Sequence, residues 1–286
     1  ALAARPGVAM ALTNHTYTGA ILTQPYRADG PLGDADLFLM ERLAKQAVEG
    51  TGWRAVRVHP DFTYDAKQPI TGVWADALSS TFGVPAYTLE LWDPFGHCGL
   101  EEVDVAGFFR TPDLDQIRAL FAGFKDEPGN QRWRPFDHPQ LGPVEIGGLD
   151  YQRSVRNPPV RLLPAECAKG FTVADRLRKA LPRVQAELSV TPAGDGLRRV
   201  ELTLSNHGCV ATSGLLHGAE LVGTPGVSAR LVPGAGVALA VGAPSQALGH
   251  LDGWGTQQVT GGGHPVYPRL AARGHAVRIL TFDTPG

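Results

Sequence analysis

Cysteine is scarce in this 286-residue chain: there are three, at Cys98, Cys167 and Cys209. They are far apart, odd in number and never spaced Cys-x-x-Cys, which argues against a disulfide framework or a cysteine zinc site. Small buried side chains are the reading that remains. An excess of one charge is missing too. A formal net charge of −2 gives no electrostatic case for nucleic acid or a membrane surface as partner. No apolar run approaches the roughly 20 residues that would span a bilayer. The opening residues carry no leader pattern of positive charge, apolar run and small-residue cleavage site. Ala1 leads almost at once into a strand, so the expectation is that the natural N-terminus lies upstream. No Gly-x-Ser-x-Gly is present. Gly234-Ala235-Gly236 has no third glycine, and Gly261-Gly262-Gly263 precedes no helical pattern, so neither reads as a phosphate-binding loop. Internal repeats and low-complexity tracts are also absent.

Glycine and proline are plentiful, at 35 and 23, which suits loops and short strands. The length allows a sizeable core in one large or two ordinary domains. The stretch with most chemistry is Val84-Pro85-Ala86-Tyr87-Thr88-Leu89-Glu90-Leu91-Trp92-Asp93, bounded by Gly83 and by Pro94-Phe95-Gly96. Its short apolar run predicts a buried central strand with Glu90 near the carboxyl end. A carboxylate there is costly unless a cation compensates it. A bound metal, a positively charged substrate or a nearby arginine would each serve. Residues 8 to 19 make a second such strand, which runs into Asn14-His15-Thr16-Tyr17 and a glycine. His15 therefore also stands at a strand end, where ligands and catalytic groups of α/β sheets gather.

Between and after these strands the pattern is helical. Asp34 and Asp36 open a helix whose Leu37, Met40, Ala44 and Ala47 share a face, ended by Gly50 and Gly52. A short strand spans Arg54 to Val58. The His59-Pro60-Asp61 after it is also the J-domain signature, but that motif belongs in a helical hairpin and here follows a strand. A second stripe runs from Val73 to Thr81, and a third from Leu114 to Phe124 with Thr111 as its cap and Pro112 at its first position. Phe136 to Gly148 reads as strand and turn, and Glu166 to Leu181 as a last helix. Beyond Pro182 the grammar changes. Val200, Leu202 and Leu204 alternate with Glu201, Thr203 and Ser205, and short strands between Gly/Pro turns continue to Asp283, which is sandwich-like. The domain boundary is placed near Pro182.

Taken together, the His15-Thr16-Tyr17 strand end and the Thr88-Leu89-Glu90-Leu91 strand resemble the zinc carboxypeptidases of the carboxypeptidase A type. Ile70-Thr71-Gly72-Val73, the run from Phe136 to Gly148 and Arg156-Asn157-Pro158-Pro159 are similar to its bacterial branch with a C-terminal β-domain. The resemblance implies an α/β fold: a partial mixed sheet over residues 1–182, then an all-β sandwich accessory domain over 183–286. It implies a zinc-dependent enzyme that removes C-terminal residues from peptides, in a secreted or periplasmic setting. His15 would be the last zinc ligand, Glu90 the general base, Thr16 and Tyr17 cleft-lining residues, and Tyr64 the mobile tyrosine that closes over substrate. The family's first two zinc ligands, a His-x-x-Glu pair, and its carboxylate-binding residues lie upstream of the tripeptide. The chain looks like the C-terminal half of the catalytic domain, and by itself it is expected to hold no tight zinc and to cleave nothing.

Other constellations are weaker. His217-Gly218-Ala219-Glu220 is a His-x-x-Glu, but it follows the Glu90 strand and would need a permuted topology. His138 and Glu145 sit among prolines and glycines, where polar groups usually serve the backbone. Two rival readings stay open: an inactive remnant that binds through its β-sandwich, and a deacylase on the same fold.

Overall fold

The computed structural model describes residues 7–65, 67–100, 103–128, 130–221, 226–255 and 275–283. In chain order the first region holds β1 (Ala11–Thr16), β2 (Ala20–Thr23), α1 (Asp34–Val48), β3 (Arg54–Arg57), the short α2 (Val58–Asp61), α3 (Trp74–Phe82) and β4 (Ala86–Leu91). It continues with α4 (Pro94–His97), α5 (Val105–Arg110), α6 (Leu114–Gly123), the hairpin β5 (Gln131–His138) and β6 (Gly142–Gly148), α7 (Tyr151–Ser154) and α8 (Leu163–Lys179). The second region holds β7 (Val184–Gly194), β8 (Leu197–Asn206), α9 (Leu216–Glu220), β9 (Val227–Arg230), β10 (Ala238–Val241), β11 (Ser245–Gly249) and β12 (His275–Asp283). Among the described residues the fold is mixed α/β, with several small sheets and no closed barrel. No helix among them is long and apolar enough to cross a membrane.

The first sheet has the order β1-β4-β2-β3. β4 runs parallel to β1 and antiparallel to β2, so the chain from β1 to β2 crosses the carboxyl end of β4. Strand alternation sends Tyr87 and Leu89 to one face of β4 and Ala86 to the other. Tyr87 and Leu89 join Ile21, Met40, Leu43, Val173 and Leu177 in a core beneath α1 and α8. Ala86 joins Ala20, Leu22, Val58, Ala75 and Leu78 on the α2 and α3 side. Both faces are thus covered, which is why β4 reads as a continuous apolar run. α1 buries Leu39, Met40, Leu43, Ala44 and Ala47, the stripe that a 3.6-residue period demands. α3 ends on Gly83, whose φ of 64° is left-handed. A Cβ there would also meet the Gly218 backbone at 2.1 Å, so glycine is required twice over.

In the second region β7 and β8 form an antiparallel hairpin, with β12 on the far side of β8 and β10 beyond it. β9 and β11 form a separate pair. Leu204, Leu248 and Leu251 cluster with Leu202, Val227 and Ala229, drawing on strands of both sheets. Packing also runs back across residue 182. Cys209, Val210 and Leu215 lie in the core under α1 and α8. Asn206 is fully buried; its oxygen accepts from Arg183 and Gly208 amides, and its nitrogen donates to the Val210 and Asp252 carbonyls. Asp36 of α1 accepts from the Leu216 and His217 amides at 2.8 and 2.9 Å.

The structure departs from the sequence reading in three places. The cap of α6 is Asp113, whose carboxylate accepts from Asp115 and Gln116; Thr111 instead ends α5, a helix the pattern did not announce. Cys209 is buried, but Cys98 is half-buried and Cys167 is exposed. The strand-and-turn region from Phe136 extends back to Gln131. The strands expected between 256 and 274, and Gly261-Gly262-Gly263, lie outside the described residues.

Candidate functional site

The site lies at the carboxyl end of β4. His15 and Glu90 are direct partners in the parallel register, and Ala20 of β2 faces Glu90 from the other side. His15 Nδ1 stands 3.6 Å from Glu90 Oε1. The two differ in setting: the His15 side chain is about half exposed, whereas Glu90 is 8% exposed. Burial pushes the Glu90 carboxyl from 4.5 up to about 7, with the Arg156 guanidinium pulling against it. Removing water disfavours the charged form, and one positive charge nearby recovers only part of that cost. Glu90 is therefore poised to take and return a proton near neutral pH.

Beside this pair, the crossing turn sets Tyr17 against α7. The Tyr17 and Tyr151 hydroxyls are 2.8 Å apart, with the rings edge to face. Burial and the Tyr151 contact hold the Tyr17 phenol well above its usual range. Trp92, two residues past Glu90, adopts a φ of 70° and donates from Nε1 to the Ser154 and Val155 carbonyls at 3.2 and 3.1 Å. Under the site Tyr17, Trp92, Phe95, Leu120, Phe124 and Val155 form an apolar floor. Asp93 caps α4 through the Phe95 and Gly96 amides, which fixes the chain leaving β4.

The sequence-derived residues therefore come together in part. His15, Glu90 and Tyr17 share one strand-end cluster. Thr16 is on β1 opposite Leu91, one position beyond the pair. Tyr64 is exposed, near enough for its phenol to raise that of Tyr17, and it lines a small cavity of about 100 Å³ with Arg54, Phe62, Val103 and Asp104. Tyr151 is an addition that nothing in its local sequence pattern marks, and Arg156, seen in the sequence only as part of a motif, follows it on the same docked segment. His217 is elsewhere, its Nε2 donating to the Ser80 carbonyl at 2.9 Å. His138 uses Nδ1 to accept the Gln140 and Leu141 amides, a role within its own turn.

A zinc centre needs three protein ligands and an open position. His15 and Glu90 provide two donor side chains, and no group of three His, Cys, Asp or Glu side chains among the described residues is arranged to hold a metal ion. These residues alone do not fit a complete zinc site.

Residues 184–264 match a family described as a domain of unknown function (DUF8731). The match begins at the first residue of β7 and lies wholly within the second region. No curated protein matches the chain.

Proposed function

We propose that the strand-end site is the base half of a hydrolytic centre of the zinc carboxypeptidase kind, acting on the C-terminal bond of peptides. The observation that supports this reading is the pairing of His15 and Glu90 in register, with Glu90 held near neutrality by burial. In this reading residues 1–182 carry part of the mixed sheet of that fold, and residues 183–286 form an accessory β-sandwich. The leucine cluster between the two small β-sheets supports the latter.

Glu90 would accept a proton from the attacking water as its oxygen bonds to the scissile carbonyl carbon. It would return that proton to the amine nitrogen as the C–N bond breaks. A carboxyl near pH 7 makes both transfers of similar cost, which is what a group acting as base and then acid needs. Burial keeps bulk water from competing for that proton, and the apolar floor keeps it so. Because the donors among the described residues fall short of a zinc set, the reading requires further ligands from outside them.

The test is turnover of a blocked dipeptide panel by the protein expressed from its natural gene. Glu90→Gln should retain the fold and lose about 10²–10⁴ in turnover. Near-normal turnover in that variant would make Glu90 structural and end this reading.

A further inference from the structure

The small cavity beside the strand-end site is lined by charges of both signs, and they do not pair with each other. It measures about 100 Å³ and takes Arg54 and Val56 from β3, Asp61 from the end of α2, and Val103 and Asp104 from the approach to α5. Among the described residues none of the three charged side chains forms an ion pair or a side-chain hydrogen bond. Asp104 stands at the cap position of α5, yet its carboxylate accepts from no amide of that helix. All three are exposed, so a solute can reach them.

The walls that carry these charges are fixed. The Arg54 amide donates to the Gly19 carbonyl at 2.9 Å, in the turn that crosses β4. Ala20 pairs with Glu90 on one side and Arg54 on the other, which puts the Arg54 backbone in the same row, about 10 Å from that of Glu90. Val56 packs with Ala20 and Leu22, and Val103 with Tyr17 and Phe95 of the apolar floor. The cavity is thus built from both cores and neighbours the site without being part of it.

A lone anion entering this cavity would satisfy Arg54 but meet two carboxylates. A lone cation would satisfy the acids and leave Arg54 facing its charge. A group with both charges gives every wall a partner, and like-charge contacts reject the other two classes. The cavity is far smaller than the usual pocket of about 300–1,000 Å³, so the two charges must lie within a few bonds of each other. The guanidinium fork suits a carboxylate, and the acids suit an ammonium. We propose that this cavity binds an α-amino-acid head, its carboxylate on Arg54 and its ammonium between Asp61 and Asp104.

The test is calorimetric and NMR titration of the protein with three matched probes: L-alanine, L-alaninamide, which keeps only the cation, and N-acetyl-L-alanine, which keeps only the anion. Alanine should bind about 10- to 100-fold more tightly than either, the scale of lost hydrogen bonds to a charged group. Arg54→Gln should erase the preference over alaninamide, and Asp61→Asn with Asp104→Asn the preference over N-acetylalanine. γ-Glutamylalanine carries the same head on a longer chain. Tighter binding of it than of alanine assigns the site to an amino-acid end of a peptide, and equal or weaker binding assigns it to the free amino acid. Equal affinity for the three matched probes overturns the inference. So does alanine binding that none of the substitutions alters, or no saturable binding of alanine up to about 100 mM. Because no readout is turnover, the hydrolytic reading stands or falls separately.

Discussion

Strands β4 and β7 each carry a glutamate, and their surroundings are opposite. β4 has a strand on either side and a layer on either face, and its Ala86, Tyr87 and Leu89 are fully buried. Among the described residues β7 pairs only with β8, and all eleven of its residues are exposed, Leu188 to 66%. The backbone geometry of the two strands is the same in kind. What differs is the dielectric around the side chains: Glu90 of β4 is pressed toward its neutral form, while Glu187 of β7 stands in water. The raised Glu90 carboxyl therefore comes from the turn and strands that dry the end of β4, and strand type alone would not have supplied it.

The largest expected effect separates these two glutamates by activity. In the natural gene product Glu90→Gln should lose about 10²–10⁴ in turnover, whereas Glu187→Gln should leave turnover unchanged. Assays of the two variants side by side would break the comparison if both fell together, since the loss would then be one of general stability.

Leucines sharpen the same contrast. Leu89 is fully buried among Ile21, Tyr87 and Val173, so Leu89→Ala should cost about 2–5 kcal/mol in urea unfolding. Leu188→Ala, on the exposed face of β7, should stay within about 0.5 kcal/mol. Comparable losses at both positions would mean that β7 is covered in solution.

The two regions meet at Asn206, which serves four backbone groups on either side of the strand end. Asn206→Ala strands two amides and two carbonyls, two of the four bonds being buried and two part-buried. The expected cost is about 3 kcal/mol, from lost bonds at roughly 1 kcal/mol each less what water recovers. Differential scanning calorimetry should show the loss in the whole transition, because Cys209, Val210 and Leu215 beyond Asn206 plug the core under α1 and α8. A loss confined to a separate, smaller transition would show that the second region melts independently of the first.

How far the sequence could be read follows the range of each interaction. The strand at 86–91 and helices α1, α3 and α8 were legible because apolar period and glycine or proline stops are local signals. His15 and Glu90 are 75 positions apart, and only the likeness to a known family suggested that they meet; strand order then makes them neighbours. Tyr151 had no such guide, and the likeness that included Arg156-Asn157-Pro158-Pro159 gave Arg156 no role. Tyr151 reaches Tyr17 across 134 positions, through a helical turn whose docking depends on Trp92 finding two carbonyls. Asn206 carries no local sign of its role, because Arg183 and Asp252, two of its four partners, lie 23 and 46 positions away on segments that only the fold brings together. The cap of α6 was misplaced by two positions since Thr111 and Asp113 are both good caps, and the choice fell to the carboxylate that reaches the Asp115 and Gln116 amides.

The smallest effect tests the environment of Glu90 without any substrate. Its folded carboxyl lies at about 7, against 4.5 for the ordinary value. Between those limits the folded state binds the proton that the unfolded state has released. Stability therefore falls as pH rises through this window: the contribution is fully present below about 4.5 and gone above about 7. At 1.36 kcal/mol per unit the ceiling is about 3 kcal/mol, and the buried Asp36, also shifted upward, adds a change of the same sign. The useful quantity is thus the difference between the wild type and Glu90→Gln. Urea midpoints at pH 5 and pH 8 should spread more in the wild type than in the variant, with the wild type losing ground at pH 8. An equal spread in both would place Glu90 in contact with water and remove the physical basis for a base at the end of β4.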